Sequence, residues 1–156
     1  MSAYSANNLL GGTQQALSTA YKTLLALTAA TATLTSAEVA EFSVGTDGSP
    51  PADNVVQWDI SRQTAAGTST AVTPNAYNGA KRAAGTVASA NFTAEGTITA
   101  NSSVWALPIN QRASFRWVAV PGSELIIPAT NLAGFALRAK SPAYTGTAVA
   151  AMGFTE

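Results

Sequence analysis

The chain contains no histidine and no cysteine, and only 10% of its 156 residues are charged. Histidine is the commonest metal ligand and the usual proton carrier near neutral pH. Cysteine supplies thiolate nucleophiles, soft metal sites and disulfides. A catalytic site built only from carboxylates remains open, but it needs two acids in one cleft. We therefore predict that the protein is not an enzyme, uses no cofactor and acts through shape and contact.

The charges that are present balance, because eight basic and eight acidic residues give a net charge of zero. Nucleic-acid binding calls for a basic patch, so no such partner is expected. The longest apolar runs, such as residues 24–26, are too short to cross a bilayer, and the N-terminus does not resemble a signal peptide. A surface this poor in charge repels neighbours weakly, which is typical of a member of an assembly, although a secreted binding module has a similar surface.

Apolar and polar residues alternate along most of the chain. Residues 55–62 show the pattern best, and residues 103–109, 133–139 and 148–154 repeat it. Residues 115–120 are apolar on both faces, which indicates a central strand or one covered by a partner. Short strands separated by turn residues predict an all-β antiparallel sandwich. About eight strands joined by long connections favour a jelly roll over an immunoglobulin-like fold.

Two segments depart from this alternation. Residues 1–20 are small and polar and predict an extended N-terminal arm, or alternatively a frayed terminus, which leaves residues 21–156 as the jelly-roll domain. Residues 63–92 contain few large apolar side chains and predict a long crossing loop with a weak strand at 69–72. A Thr-Pro pair in that loop resembles a capped helix start, so a short helix is expected at 75–84.

Acidic side chains offer one possible metal site. Three aspartates recur at six-residue spacing, namely Asp47, Asp53 and Asp59. A calcium loop is conceivable because hard cations take carboxylate oxygens, but the dense acidic spacing of known calcium loops is missing. A turn role, in which Asp47 accepts hydrogen bonds from its own loop, is favoured, and no metal is predicted.

Tryptophan offers one possible ligand platform. Trp58, Trp105 and Trp117 could stack against sugars, as in many lectins. All three lie in alternating strand patterns, however, and large aromatic rings are chiefly core residues in sandwiches. A core position is therefore favoured for each of them.

Residues 21–154 resemble a family of small proteins encoded beside the capsid genes of tailed phages, the head decoration or cement proteins. The resemblance is carried by five segments: YKTLLALTAATATL (21–34), EFSVGTDGSPPADN (41–54), WDISRQTAAGTSTAVTPNA (58–76), TANSSVWALPINQRASFRWVAVPGSEL (99–125) and IPATNLAGFALRAKSPAYTGTA (127–148). It implies a jelly-roll protomer, commonly a homotrimer, that is made in the host cytoplasm and fixed on the capsid exterior. It further implies contacts between neighbouring major capsid protein subunits, and it carries no catalytic or contact residue to transfer.

The expected function is therefore that of a structural virion protein that stabilises the capsid. Candidate interface residues come from the arm and from two arginines expected to share a strand face: Tyr4, Leu9, Leu10, Arg112 and Arg116. The arginines would form forked pairs with carboxylates of a neighbouring subunit, although an ordinary solvated face explains them as well. The alternative function is a carbohydrate-binding or receptor-recognition β-sandwich module of a phage fibre.

Overall fold

The structure is a computed structural model that describes residues 2–9, 14–30, 36–79 and 82–156. All regular secondary structure in these residues is β, and they contain no helix. The strands are β1 (Ala3–Asn7), β2 (Gln15–Ala16), β3 (Lys22–Ala29), β4 (Ala37–Thr46), β5 (Val55–Ala65), β6 (Thr68–Val72), β7 (Asn75–Ala76), β8 (Thr86–Ala94), β9 (Thr97–Asn110), β10 (Phe115–Val118), β11 (Leu125–Ile127), β12 (Gly134–Lys140) and β13 (Thr147–Thr155).

The strands form two antiparallel sheets packed as a sandwich. The first sheet has the order β10-β4-β13-β1-β7, with β11 also on β4 and β2 on β13. The second sheet has the order β6-β8-β3-β12-β5-β9. Four strands of the first half of the chain pair with four of the second half in reverse order: β1 with β13, β3 with β12, β4 with β10 and β5 with β9. The prediction of an all-β antiparallel sandwich is confirmed.

The core lies between the sheets and follows the alternation in the sequence. Its largest buried members are Trp58, Tyr4, Tyr144, Phe42, Phe135, Phe154, Leu24, Leu25, Leu27, Ile60, Ile127 and Leu137. Near the β9 and β10 edges, Phe42 packs edge-on to Trp105 at 4.8 Å and stacks on Trp117 at 5.2 Å between ring centroids. Trp58 is buried, and Trp105 and Trp117 are partly buried against the core. The predicted core position is confirmed for Trp58, whereas Trp105 and Trp117 lie at the margin of the core and stay partly exposed.

Within the segment predicted as an arm, residues 3–7 form β1 inside the first sheet and residues 15–16 form the short strand β2. Strand β1 lies between β13 and β7, and Ala3 pairs with Thr155. Tyr4 and Ala6 face the core, each 1% exposed, while Ser5 points outward. The start of the chain is therefore part of the sandwich, because two inward side chains give it a place in the core.

The region 63–92 contains more strand than its composition indicates. The weak strand predicted at 69–72 is present as β6, but the helix predicted at 75–84 is wrong. Residues 75–76 form β7 instead, and a turn follows in which Gly79 has φ +76°, outside helical geometry. Strand β8 was not predicted, because its inward residues Ala88 and Ala90 are too small to make an apolar pattern visible.

Candidate interaction surfaces

A line of polar side chains crosses the outer face of the first sheet. Arg116 on β10 donates to Oε2 of Glu41 on β4 through Nε, at 3.0 Å, and through Nη2. The hydroxyl of Tyr77, just after β7, donates to Oε1 of the same carboxylate at 3.1 Å. Since β10 and β7 are the two ends of the sheet path, these three side chains connect both edges across the outer face.

Gly153 on β13 makes this line possible. It pairs with Glu41 in the register and lies beneath the contact between Glu41 and Tyr77. A Cβ atom at this position would come within 2.7 Å of Glu41 Cγ and 3.1 Å of the Tyr77 hydroxyl. Any larger residue would therefore push the carboxylate and the phenol apart.

The line formed by Arg116, Glu41 and Tyr77, which we name the polar line, carries no net charge. The hydrogen bond from Arg116 is the main cause that lowers the pKa of the Glu41 carboxyl below its ordinary value. Burial, followed by the Glu41 carboxylate, raises the pKa of the Tyr77 hydroxyl. At neutral pH Glu41 and Arg116 are therefore both charged and cancel, and Tyr77 stays protonated. The Arg116 side chain is 67% exposed, so solvent screens the pair, and its hydrogen bonds orient the two side chains more than they stabilise the fold.

Exposed aliphatic side chains lie beside the polar line. Val118 on β10 is 56% exposed, Val120 is 70% exposed and Ile126 on β11 is 54% exposed. Both strands follow the same edge of β4, and a mainly apolar cavity of about 150 Å³ lies between this edge and β1, lined by Ala3, Ala40, Val118 and Phe154 among others. We name Val118, Val120 and Ile126 the outer apolar patch; neighbouring exposed apolar residues of this kind mark interaction sites.

The residues predicted to form an N-terminal interface differ in their exposure to solvent. Tyr4 is 1% exposed, and its hydroxyl donates to the backbone carbonyl of Arg82 at 3.2 Å, so it is a core residue and offers no docking surface. Leu9 follows β1 and is 45% exposed, which keeps it available for contact. Leu10 lies outside the described residues.

The two predicted arginines do not share a strand face. Arg112 lies in the turn between β9 and β10, where its Nε donates to the carbonyl of Ala52 at 3.2 Å and lies 3.5 Å from Asp53. Arg116 lies on β10 and belongs to the polar line. The prediction of a shared face is wrong because the chain turns at Gln111 and Arg112 and β10 begins only at Phe115. Strand β10 also lies at the edge of its sheet rather than at its centre.

Sequence reasoning missed Glu41 and Tyr77, which complete the polar line. They are 36 residues apart, and only the pairing of β4, β13, β1 and β7 brings them together. No local spacing in the sequence signals such a contact. The one available hint is the position of Gly153 within an otherwise apolar strand, since an isolated strand glycine often marks a close approach.

The three aspartates occupy three separate environments. Asp47 accepts hydrogen bonds from Thr147 at 2.6 Å, from Tyr144 at 2.5 Å and from the backbone of Ser49, and these, in that order, lower the pKa of its carboxyl. Asp59 is buried against Arg138, and Asp53 lies near Arg112. They do not form a calcium loop, and the described part of the chain contains no cluster of three or more potential acidic metal ligands.

Three comparisons with known proteins give no further lead. No family model, no curated protein and no solved structure matches this chain. Over the described ranges, no helix is long and apolar enough to cross a membrane. The function therefore rests on the fold and on the surfaces of the sandwich.

Proposed function

We propose that the protein is a structural decoration protein of a phage head, which binds the outside of the capsid and links neighbouring major capsid subunits. The observation that carries the proposal is the outer face of the first sheet, where the outer apolar patch lies beside a polar line that is already neutral. Contact with another protein would bury Glu41 together with its Arg116 partner, while Glu38, which pairs with Ile126 in the register, would need a basic partner across the interface. The resemblance of residues 21–154 to phage cement proteins supports the same function.

The strand pairing supports a jelly-roll assignment for the fold. In a jelly roll an antiparallel ribbon is wrapped into two sheets, so early strands pair with late strands in reverse order, as β1, β3, β4 and β5 do here. We further propose a homotrimer on the capsid exterior. Three copies of one modest contact give a high overall affinity, because the second and third contacts form intramolecularly.

Sedimentation with undecorated heads tests the proposal. The heads are assembled from the major capsid protein of the phage that would carry this protein, and the protein is mixed with them at micromolar concentration and pelleted. The variant Val118→Asn combined with Ile126→Asn should weaken binding about tenfold or more, since each partly buried aliphatic side chain contributes roughly 1 kcal/mol. Val104→Asn is the matched control, because Val104 is 42% exposed on β9 of the second sheet.

The wild-type protein is expected in the pellet, with the double variant in the supernatant and the control unchanged. If the wild-type protein stays in the supernatant, the decoration function is contradicted. Equal loss of binding in the control and the double variant would contradict the assignment of the docking face to the first sheet.

A further inference from the structure

The turn that follows β7 contains the one Asn-Gly pair of the chain, Asn78 and Gly79. Both residues are exposed, and Gly79 has a left-handed backbone with φ +76°. A Cβ atom placed on Gly79 would meet nothing within 4 Å, so the space around this peptide is open. The Asn78 side chain therefore has room to fold back onto the backbone nitrogen that follows it.

The hydrogen bonds that anchor this turn end one residue before the pair. The Tyr77 N–H donates to the Ala3 carbonyl at 3.0 Å, and the Tyr77 hydroxyl donates to Glu41. Within the described residues, neither the Asn78 side chain nor the Gly79 N–H takes part in a hydrogen bond. The two groups can therefore approach each other without any opening of the sheet.

Comparable side chains elsewhere in the sandwich are held by contacts that Asn78 lacks. The side-chain amides of Asn8 and Asn91 lie 3.3 Å apart in a hydrogen bond, and each also donates to a backbone carbonyl. Asp47 precedes a glycine as well, but Tyr144 and Thr147 both donate to its carboxylate. Asn78 alone combines a following glycine, exposure and a side chain without a hydrogen bond in the described part of the chain.

We propose that Asn78 is a site of spontaneous deamidation, with water as the only co-reactant. The Gly79 nitrogen loses its proton to solvent and attacks Asn78 Cγ, which closes a cyclic imide and releases the side-chain nitrogen as ammonia. Water then adds to one of the two imide carbonyls and breaks its bond to the Gly79 nitrogen. Cleavage at Cγ gives aspartate, and cleavage at the main-chain carbonyl gives isoaspartate. Glycine favours the first step because it has no Cβ atom to crowd the attacking nitrogen.

The product changes the charge of the protein at one corner of the first sheet. The chain carries no net charge, so each deamidated copy becomes acidic. The new carboxylate follows Tyr77, which bonds to Glu41 and lines the apolar cavity beside Val118. Any contact made at this corner would then have to desolvate an additional charge. Ageing of the protein therefore alters the surface that adjoins the polar line.

Peptide mapping of the full chain by mass spectrometry tests the proposal. One sample is kept folded in mildly alkaline buffer, which favours loss of the Gly79 proton, and a second is kept unfolded in guanidinium chloride. In the folded sample Asn78 should convert at least about tenfold faster than Asn101, which is also exposed but is followed by serine. Unfolding should change the rate at Asn78 by less than about threefold, because the fold already leaves this side chain free, whereas it should accelerate conversion at Asn91.

Three variants identify the reacting side chain and its product. Asn78→Gln lengthens the side chain, so the ring that must close is larger, and the acidic form on ion exchange should largely disappear. Asn101→Gln makes the same change at an exposed position on β9 and should age like the wild type. Freshly purified Asn78→Asp should elute with the acidic form but contain no isoaspartate, which an isoaspartyl methyltransferase should detect in the aged wild type.

Conversion at Asn78 that is more than about tenfold slower in the folded than in the unfolded sample would overturn the proposal, because the fold would then protect this residue. An unchanged amount of the acidic form in Asn78→Gln would overturn it as well. So would conversion at Asn78 without isoaspartate, since direct hydrolysis of the side-chain amide does not pass through the imide. None of these results touches the decoration function, because each is measured on the isolated chain.

Discussion

Replacing Arg138 by methionine should strongly destabilise the fold, because it leaves the buried carboxylate of Asp59 without its charged partner. Arg138 on β12 pairs in register with Asp59 on β5, and its Nε donates to Asp59 Oδ2 at 2.9 Å. Asp59 is 3% exposed and has one further partner, the Ser61 hydroxyl at 2.7 Å. The Arg138 side chain is 17% exposed, and its guanidinium lies 4.6 Å from the centre of the Tyr21 ring.

Removing one partner of a buried ion pair typically costs about 3–5 kcal/mol, far more than the pair contributes relative to an apolar replacement. For a domain of this size, each kcal/mol lowers the thermal midpoint by roughly 2–4 °C, so Arg138→Met should lower it by about 6–20 °C. The double variant with Asp59→Leu removes both charges and should lie within about 2 kcal/mol of the wild type or above it. Urea unfolding followed by tryptophan fluorescence gives the free energy of unfolding of the single and the double variant, and a thermal melt gives their midpoints.

Arg112→Met is the matched control, because the Arg112 and Asp53 side chains are 54% and 76% exposed. It should change the free energy of unfolding by less than about 1 kcal/mol. The reasoning is refuted if Arg138→Met costs no more than this control. It is refuted equally if the double variant loses as much stability as the two single variants together, since the loss would then come from packing rather than from an unpaired charge.

Three further predictions follow from the same contacts. Phe42→Ala should cost about 3–5 kcal/mol in urea unfolding, because Phe42 joins both edge tryptophans to the core; a loss near 1 kcal/mol would contradict this. Gly153→Ala should separate Glu41 from Tyr77, so that the raised pKa of Tyr77 falls toward 10.0 in an ultraviolet titration; an unchanged pKa would disprove the role of Gly153. Hydrogen bonds from Thr147 and Tyr144 lower the pKa of Asp47 below its ordinary 3.8, so the ionised carboxylate stabilises the fold fully above pH 3.8 and loses this effect as the pH falls through the lowered pKa. Asp47→Asn should therefore make the free energy of unfolding depend less on pH in that acid range. An acid unfolding profile identical to that of the wild type would contradict this role of Asp47.

The sequence predicts those strands in which at least two alternating inward residues are large, such as Met152 and Phe154 of β13. Residues 55–62 and 148–154 fall within β5 and β13, and their alternating apolar side chains are the core residues of the structure. Period-two patterning identifies the buried face directly, because a shift of one residue would expose every large side chain. Strands β1 and β8 were not predicted from this pattern. Strand β1 has only five residues, and the inward residues Ala88 and Ala90 of β8 are small.

The candidate surfaces depend on pairing, which the sequence does not encode locally. Glu41 meets Tyr77 only because β13 and β1 lie between them, and Gln63 meets Thr28 only across β12. The arginine prediction failed for a related reason, because residue spacing cannot distinguish a strand from the turn before it at Arg112. Local alternation of apolar and polar residues predicts which face of a strand is buried. It does not predict which side chains of different strands meet, because that depends on the order of the strands in the sheet.

The two outer faces of the sandwich differ in the chemistry of their side chains. The first sheet presents aliphatic groups and the Glu41 carboxylate already paired with Arg116, so a protein partner would need to supply a counter-charge only for Glu38 beside Ile126. The outer face of the second sheet instead has a recess lined by Thr28, Ser69 and Ser89 beside Phe92 and Val87, and no charged side chain in the described part of the chain lines it. A protomer attached through the first sheet leaves the second sheet facing away from its support, because the faces lie on opposite sides of one core.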